Sequence, residues 1–317
     1  MRGLRPYGTV CAVETGASLV PKLTRQASAS RDAAPLVVPR ALAVALLRLY
    51  DFPHPHIKGR VIRGYDRPHA LRTARMCAAV ALRLGHSPQR VRNYQIACLL
   101  HDLGRAGLDR KLFGAIWSWA RTHGIPTRPR EWRAVHPETT YGRETEAFLA
   151  RYRGALTQEG IVLDPWAKEQ VEMRLGYARR LQRQLRRVKP QLARMGVTWA
   201  PWMTRVMLYY YYPERLAQAP PWVKQLGEVM VACEQFEAYS NRQRGKDYYT
   251  RSREQLSEAI AYLDKLRQEG ILSDTVLDAL KRLASEGAFD RILAESRRAP
   301  LSPRERAYLR SLTVGRA

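Results

Sequence analysis

Two adjacent ionisable residues close an otherwise apolar helix: His101 and Asp102, in the run Ala97-Cys-Leu-Leu-His-Asp-Leu-Gly-Arg105. Burying an imidazole and a carboxylate beneath apolar residues is costly unless each finds a partner. A divalent cation serves both at once, since imidazole nitrogen and carboxylate oxygen suit Mn, Fe, Zn or Mg in differing degrees. An imidazole–carboxylate hydrogen bond that staples the helix end meets the same need, and the pair alone does not choose between the two. His69 lies 32 residues earlier, at the start of a helix that a short turn returns antiparallel to the helix of His101. Side chains on neighbouring helices of a bundle can converge on one point in its core. Of the other histidines, His54 and His56 sit in the turn Phe52-Pro-His-Pro-His, His86 follows a helix-ending glycine as a surface residue, and His123 lies in a Thr-His-Gly turn. No Ser-His-Asp order has a recognisable local context, and no Gly-rich phosphate loop of the G-x-x-x-x-G-K-[ST] type occurs.

The elements that must position these residues are helical almost throughout. From His69, Ala70, Thr73, Ala74, Cys77, Val80, Ala81 and Leu84 recur at steps of three and four before Gly85 stops the helix. Ser87-Pro-Gln then supplies a cap and a first-turn proline for the helix that ends at His101. Gly124–Pro129 reads as a loop and Glu138–Tyr152 as a helix. Trp166–Gly196 reads as a long amphipathic helix, interrupted or ended near Pro190, with Val171, Leu175, Ala178, Leu181, Leu185 and Val188 inside and most of its arginines, Arg180 among them, outside. Further helices are expected over Val223–Asn241, Arg253–Gln268 and Ser273–Ser285, and no strand alternation stands out. The organisation that follows is a flexible leader over residues 1–40, one all-α helical bundle domain over 41–300, and a basic C-terminal tail over 301–317.

The chain has 317 residues, 45% of them apolar, and its 54 Lys plus Arg against 29 Asp plus Glu give a net charge of +25. That charge suits an anionic small molecule or a nucleic acid, by steering and by counterion release. Met173–Pro213 contains no acidic residue, so its basic helix face either lies against phosphate or is solvated. Ala41–Leu47 is too short to span a bilayer, and no apolar core of signal-peptide length follows the early basic residues. Cys11, Cys77, Cys98 and Cys233 show no C-x-x-C pairing, which fits a reducing cytoplasm.

With His69 in Arg67-Pro-His-Ala-Leu-Arg72 and His101-Asp102 in Leu-Leu-His-Asp-Leu-Gly-Arg, the chain resembles the HD superfamily of metal-dependent phosphohydrolases. The likeness is greatest to the HD-GYP branch over about residues 60–295. Its His-Pro motif is read in His136-Pro137, with Gly142 two residues late. Its last acidic motif is read in Val231-Ala-Cys-Glu-Gln-Phe-Glu-Ala238, with Glu234 in the metal-binding position and Glu237 at the second acid. Lys246-Asp-Tyr-Tyr249 and the helix after it are similar to that branch's tail. The chain departs from the branch where paired histidines and a Gly-Tyr-Pro loop are due: Leu208-Tyr-Tyr-Tyr-Tyr-Pro-Glu-Arg-Leu216 has no histidine. That departure puts a second and third metal, and cyclic-dinucleotide hydrolysis, in doubt. The Tyr run is read as core, with a wall for stacking a base as the alternative.

The resemblance implies a divalent metal held by His69, His101, Asp102 and Glu234, with His136 either on a second metal or donating to the leaving oxygen. It implies catalytic roles for Asp102, Arg105 and His136: Asp102 orients a metal-bound hydroxide, and Arg105 grips a phosphate oxygen. The expected activity is hydrolysis of a phosphoester or nucleotide-like anion. Two other classes stay open, a catalytically degenerate HD fold that senses or docks, and a basic nucleic-acid binder. Metal content separates the first from the enzyme, and salt-dependent nucleic-acid binding that survives loss of Asp102 identifies the second.

Overall fold

The computed structural model describes residues 34–241 and 255–313; the greater part of the expected leader, Cys11, Lys246–Tyr249 and the last four residues lie outside them. Among the described residues the fold is all-α, with fourteen α-helices and one short hairpin, Phe52–Pro53 (β1) against Val61–Ile62 (β2). The hairpin was not expected, because two residues per strand are too few to show alternation. No helix among the described residues is long and apolar enough to cross a membrane.

The expected antiparallel pair is central: α2 (Arg67–Arg83) and α3 (Pro88–Leu99), following α1 (Arg40–Arg48). Gly85 ends α2 at φ +81°, and the Ser87 hydroxyl accepts from the Arg90 amide to cap α3. The inner stripes of both helices are buried, including Ala74, Cys77, Val91 and Cys98; α10 (Pro221–Ser240) packs against α2, and the Tyr94 hydroxyl of α3 donates to the Leu226 carbonyl of α10 at 2.7 Å. Its small or aliphatic residues Val229, Ala232 and Cys233 allow close approach. A second apolar cluster, built on Phe113, Trp117, Trp132 and Phe148, belongs to α4 (Arg110–Thr122), α5 (Pro129–Val135) and α6 (Glu144–Gln158).

Several boundaries differ from the sequence reading. The helix expected over 138–152 is α6, displaced to 144–158, because Gly142 takes φ +82° and the chain turns until Arg143. The long helix expected over 166–196 is two, α7 (Pro165–Glu172) and α8 (Tyr177–Arg194). They break at Gly176, where a Cβ would stand 2.4 Å from Glu172 Cγ and 2.7 Å from Thr145 Oγ1, so the turn forms against α6 through a residue without a side chain. Pro190 does not end α8, which runs on to Arg194; Pro190 is exposed, so water can serve the carbonyl one turn earlier that it cannot bond.

Three of the six arginines of α8, Arg179, Arg180 and Arg183, pair with acids from preceding helices. Arg179 donates to Glu146 at 3.1 and 3.0 Å, and Arg183 to Glu172 and Glu169. Arg180, read as an outward residue, is fully buried. His86, read as a surface residue, is also buried, and that burial lowers its pKa. The short helix α9 (Pro201–Leu208) leads into the tyrosine run, and α11 (Leu256–Gln268), α12 (Asp274–Ser285) and α13 (Asp290–Arg297) complete the body.

The described parts of two segments expected outside the domain pack against it. Within the leader, the Val37 and Val38 amides donate to Gln95 Oε1, and Ala34 is buried. Within the tail, α14 (Pro303–Ser311) opens with a Ser302–Glu305 capping box and buries Leu309.

Candidate metal centre

His69 stands on the first turn of α2, and His101 and Asp102 follow α3 where its last turn unwinds toward a short 3₁₀ turn, Leu103–Arg105. Glu234 and Glu237 are on α10. Ligand atoms of His69, His101 and Glu234 all lie within 4.8 Å of one another, a group able to hold a metal ion. Asp102 Oδ2 is 3.6 Å from His69 Nε2 and 3.8 Å from His101 Nε2. His69, His101 and Asp102 are buried, whereas Glu234 keeps some exposure.

The tautomers follow from what the outer nitrogens touch. His101 Nδ1 faces the Cys98 carbonyl at 2.7 Å, and a carbonyl only accepts, so Nδ1 carries the hydrogen. His69 Nδ1 faces Glu237, a fully buried carboxylate that also accepts from Arg72 Nε at 2.7 Å and from Asn241 Nδ2 at 3.1 Å. Glu237 is therefore an acceptor, and His69 Nδ1 donates. In neutral rings both Nε2 atoms then present lone pairs, and they face each other at 3.2 Å with the Asp102 carboxylate beside them. Such a cluster of acceptors is repulsive unless a positive charge, a proton or a metal ion, lies among them. Two imidazole nitrogens and two carboxylates are a suitable donor set for a divalent ion. A carboxylate behind a ligating histidine is the usual device that fixes the ring and raises its basicity. Glu237→Gln should accordingly cost about 10–100-fold in metal affinity while leaving the helical circular-dichroism signal intact, as metal titration would record.

Further contacts fix the backbone of the His-Asp turn. The Tyr50 hydroxyl accepts from the Asp102 amide at 3.2 Å and donates to the Leu99 carbonyl at 3.0 Å, while the Tyr177 hydroxyl donates to the His101 carbonyl. Burial, and next to it the charge of Asp102, push both phenols well above their ordinary pKa, so both remain donors. Arg180 Nε and Nη2 donate to the Gly104 and Ala106 carbonyls, each at 2.7 Å, and Arg180 pairs with Glu169. A Cβ on Gly104 would stand 2.6 Å from Tyr177 Cε2, so a side chain there would displace the ring that holds His101.

Arg105 Nη1 lies 3.5 Å from Asp102 Oδ2, and the residue lines the cleft beside Glu234. His136 is not in the group. It ends α5, its ring packs 4.3 Å from the Trp132 ring, its Nδ1 is 3.6 Å from Glu138, and its buried Nε2 has no hydrogen-bond partner among the described residues. The tyrosine run divides between the two roles weighed for it: Tyr209 and Tyr212 are buried, whereas Tyr210 and Tyr211 line the cleft, Tyr211 stacked 4.9 Å from Tyr177. Beside His101, Asp102 and Glu234 the cleft narrows to a chamber of about 10 Å³, room for one ion or one water.

Arg72, Tyr50, Tyr177, Arg180 and Asn241 were not expected to support the site. Only Arg72 carried a usable signal, because it stands three residues after His69 on the same helix. No family model matches the chain, and no significant match arises among curated proteins or solved structures.

Proposed function

We propose that this protein is a metal-dependent phosphohydrolase of the HD type, acting on a phosphoester with a divalent ion held by His69, His101, Asp102 and Glu234. The observation that carries the reading is the set of imidazole and carboxylate acceptors directed at one point, with both outer imidazole nitrogens tied to other acceptors. When bound, a divalent ion acidifies a coordinated water toward neutrality and polarises a phosphoryl oxygen. The residues of the chain supply the rest. Asp102 Oδ2 takes the proton of the attacking water, Arg105 binds a non-bridging phosphoryl oxygen, and Glu237 keeps His69 in its ligating tautomer through Nδ1. The new bond runs from the water oxygen to phosphorus, the ester P–O bond breaks, and the departing alkoxide takes up a proton.

The arginine-lined mouth supports an anionic substrate in this reading. A screen of phosphomonoesters and phosphodiesters in Mn, Fe, Zn or Mg, each with and without a chelator, tests it. Turnover of at least one ester that the chelator abolishes is expected, and metal-independent turnover or none contradicts the reading.

A further inference from the structure

Away from the cleft, two acid-free stretches of sequence meet at one surface. Residues 52–65 contain no Asp or Glu, and neither do residues 173–213. The first stretch forms the β1–β2 hairpin, which carries the exposed Lys58, Arg60 and Arg63 at its tip and flank. The second includes α8, which past Arg183 carries the exposed Arg186, Arg187 and Arg194. At about 3.6 residues per turn these three share an arc of about 100°, opposite the buried Leu181, Leu185, Val188 and Leu192. Phe52 seats the hairpin against the helices, its ring 4.8 Å from the Arg187 guanidinium and 5.9 Å from the Trp166 ring of α7.

The acids that border this surface are already paired. Glu146, Glu169 and Glu172 meet Arg179, Arg180 and Arg183, Asp51 meets Arg67, and Asp164 lies 3.5 Å from His56. Among the described residues no carboxylate lies within 4.0 Å of any of the six exposed cations. The helix thus pairs its arginines with acids in its first half and leaves those of its second half without one. A helix face that is merely solvated mixes both signs, whereas this one and the hairpin beside it present a field of a single sign.

A field of this kind suits a polyanion, and the surroundings select among polyanions. A helix that lies on a membrane needs a free apolar face, and the apolar face of α8 is buried in the core. A single nucleic-acid strand is held by stacking its bases on aromatic rings, and neither the hairpin nor α8 exposes one, Phe52 being half-buried. A duplex needs only cations at its phosphates. We infer that the hairpin and α8 form a sequence-independent docking surface for a nucleic-acid duplex, with Lys58, Arg60, Arg63, Arg186, Arg187 and Arg194 at its phosphates. The arginines from 186 to 194 span about 12 Å of helix, and phosphates recur at about 3.4 Å along each strand of a duplex axis, so each cation can meet its own phosphate. The surface requires neither metal nor hydrolysis and stands or falls apart from the function proposed above.

The test is fluorescence anisotropy of labelled DNA and RNA duplexes of about 20 base pairs, in two unrelated sequences, titrated with the full chain in EDTA from about 50 to about 200 mM NaCl. Both sequences should bind alike, with affinity falling about 10³-fold or more across that range, and the tighter of DNA and RNA identifies the backbone recognised. Replacing Arg186, Arg187 and Arg194 together by Gln should lower the logarithmic salt slope by about three and weaken binding about tenfold or more. The same change at Lys58, Arg60 and Arg63 should act alike. Lysine at the three α8 positions keeps the charge and should keep the slope, which separates charge from folding because Arg187 also packs on Phe52. Gln at Arg304, Arg306 and Arg310, exposed on α14, removes as much charge elsewhere and should change affinity by less than about threefold. Absence of binding at low salt, or an equal loss from the α14 set, overturns the inference. So does tighter binding to a single strand, to phosphatidylserine vesicles or to polyglutamate than to either duplex.

Discussion

Asp102→Ala is expected to lower phosphoester turnover by about 10³-fold or more, with the helical fold retained. In the proposed mechanism the Asp102 carboxylate both helps hold the ion and accepts the proton of the water. Oδ2 stands within 4 Å of both imidazole Nε2 atoms, of His69 and His101, and 3.5 Å from Arg105. Its loss removes a ligand and the acceptor for the water's proton together, and takes from Arg105 the carboxylate beside it. The fold itself relies on the backbone of residue 102, since its amide donates to Tyr50, and that contact survives the substitution. Asp102→Asn should be nearly as inactive, because the amide keeps the shape and loses the basic oxygen. Steady-state rates on whichever ester the screen selects, with melting curves for both variants, measure this. Retention of wild-type turnover by either variant would remove Asp102 from the chemistry.

Arg180→Ala is the second large effect, and it concerns stability. The side chain is fully buried and ties α8 to the carbonyls of Gly104 and Ala106, directly after the His-Asp pair, and to Glu169 of α7. Truncation leaves two carbonyls and a carboxylate without this partner, at a cost of about 3–5 kcal/mol. Chemical denaturation should show that loss as a lower midpoint with an unchanged slope. Arg180→Lys should recover only part of it, since one ammonium cannot reproduce the three-way fork. A loss below about 1 kcal/mol would mean that water replaces these contacts and that the His-Asp turn is held by other means.

The helices were legible because their apolar period is regular and their caps are explicit, as at Ser87 and Gly85. His69, His101 and Glu234 were legible as a group because their residue types and order resemble a known pattern, and the structure brings the three together. What the sequence did not convey depends on partners far away in the chain. Arg180 has the look of any solvated arginine on a basic helix, and only the return of Gly104 and Ala106 to its face makes it a core residue. Glu237 differs from Glu234 by one helical turn, and the packing of α2 decides which acid meets the cluster and which supports His69 from behind. His136 carried a motif, yet Trp132 and the turn before α6 hold it away from the group. Gly176 split an amphipathic pattern that was continuous on both sides, because its constraint is the approach of Thr145 from another helix.

In the proposed site the acceptors around His69 and His101 enclose a metal ion, not a shared proton. Elemental analysis of the purified chain, beside a His101→Ala, Asp102→Ala double variant, tests it most directly. One equivalent or more of a divalent transition metal per wild-type chain, absent from the variant, is the predicted result. No metal in the wild type, even after reconstitution with Mn, Fe and Zn, would contradict it and leave an imidazolium–carboxylate staple at the heart of a catalytically silent fold.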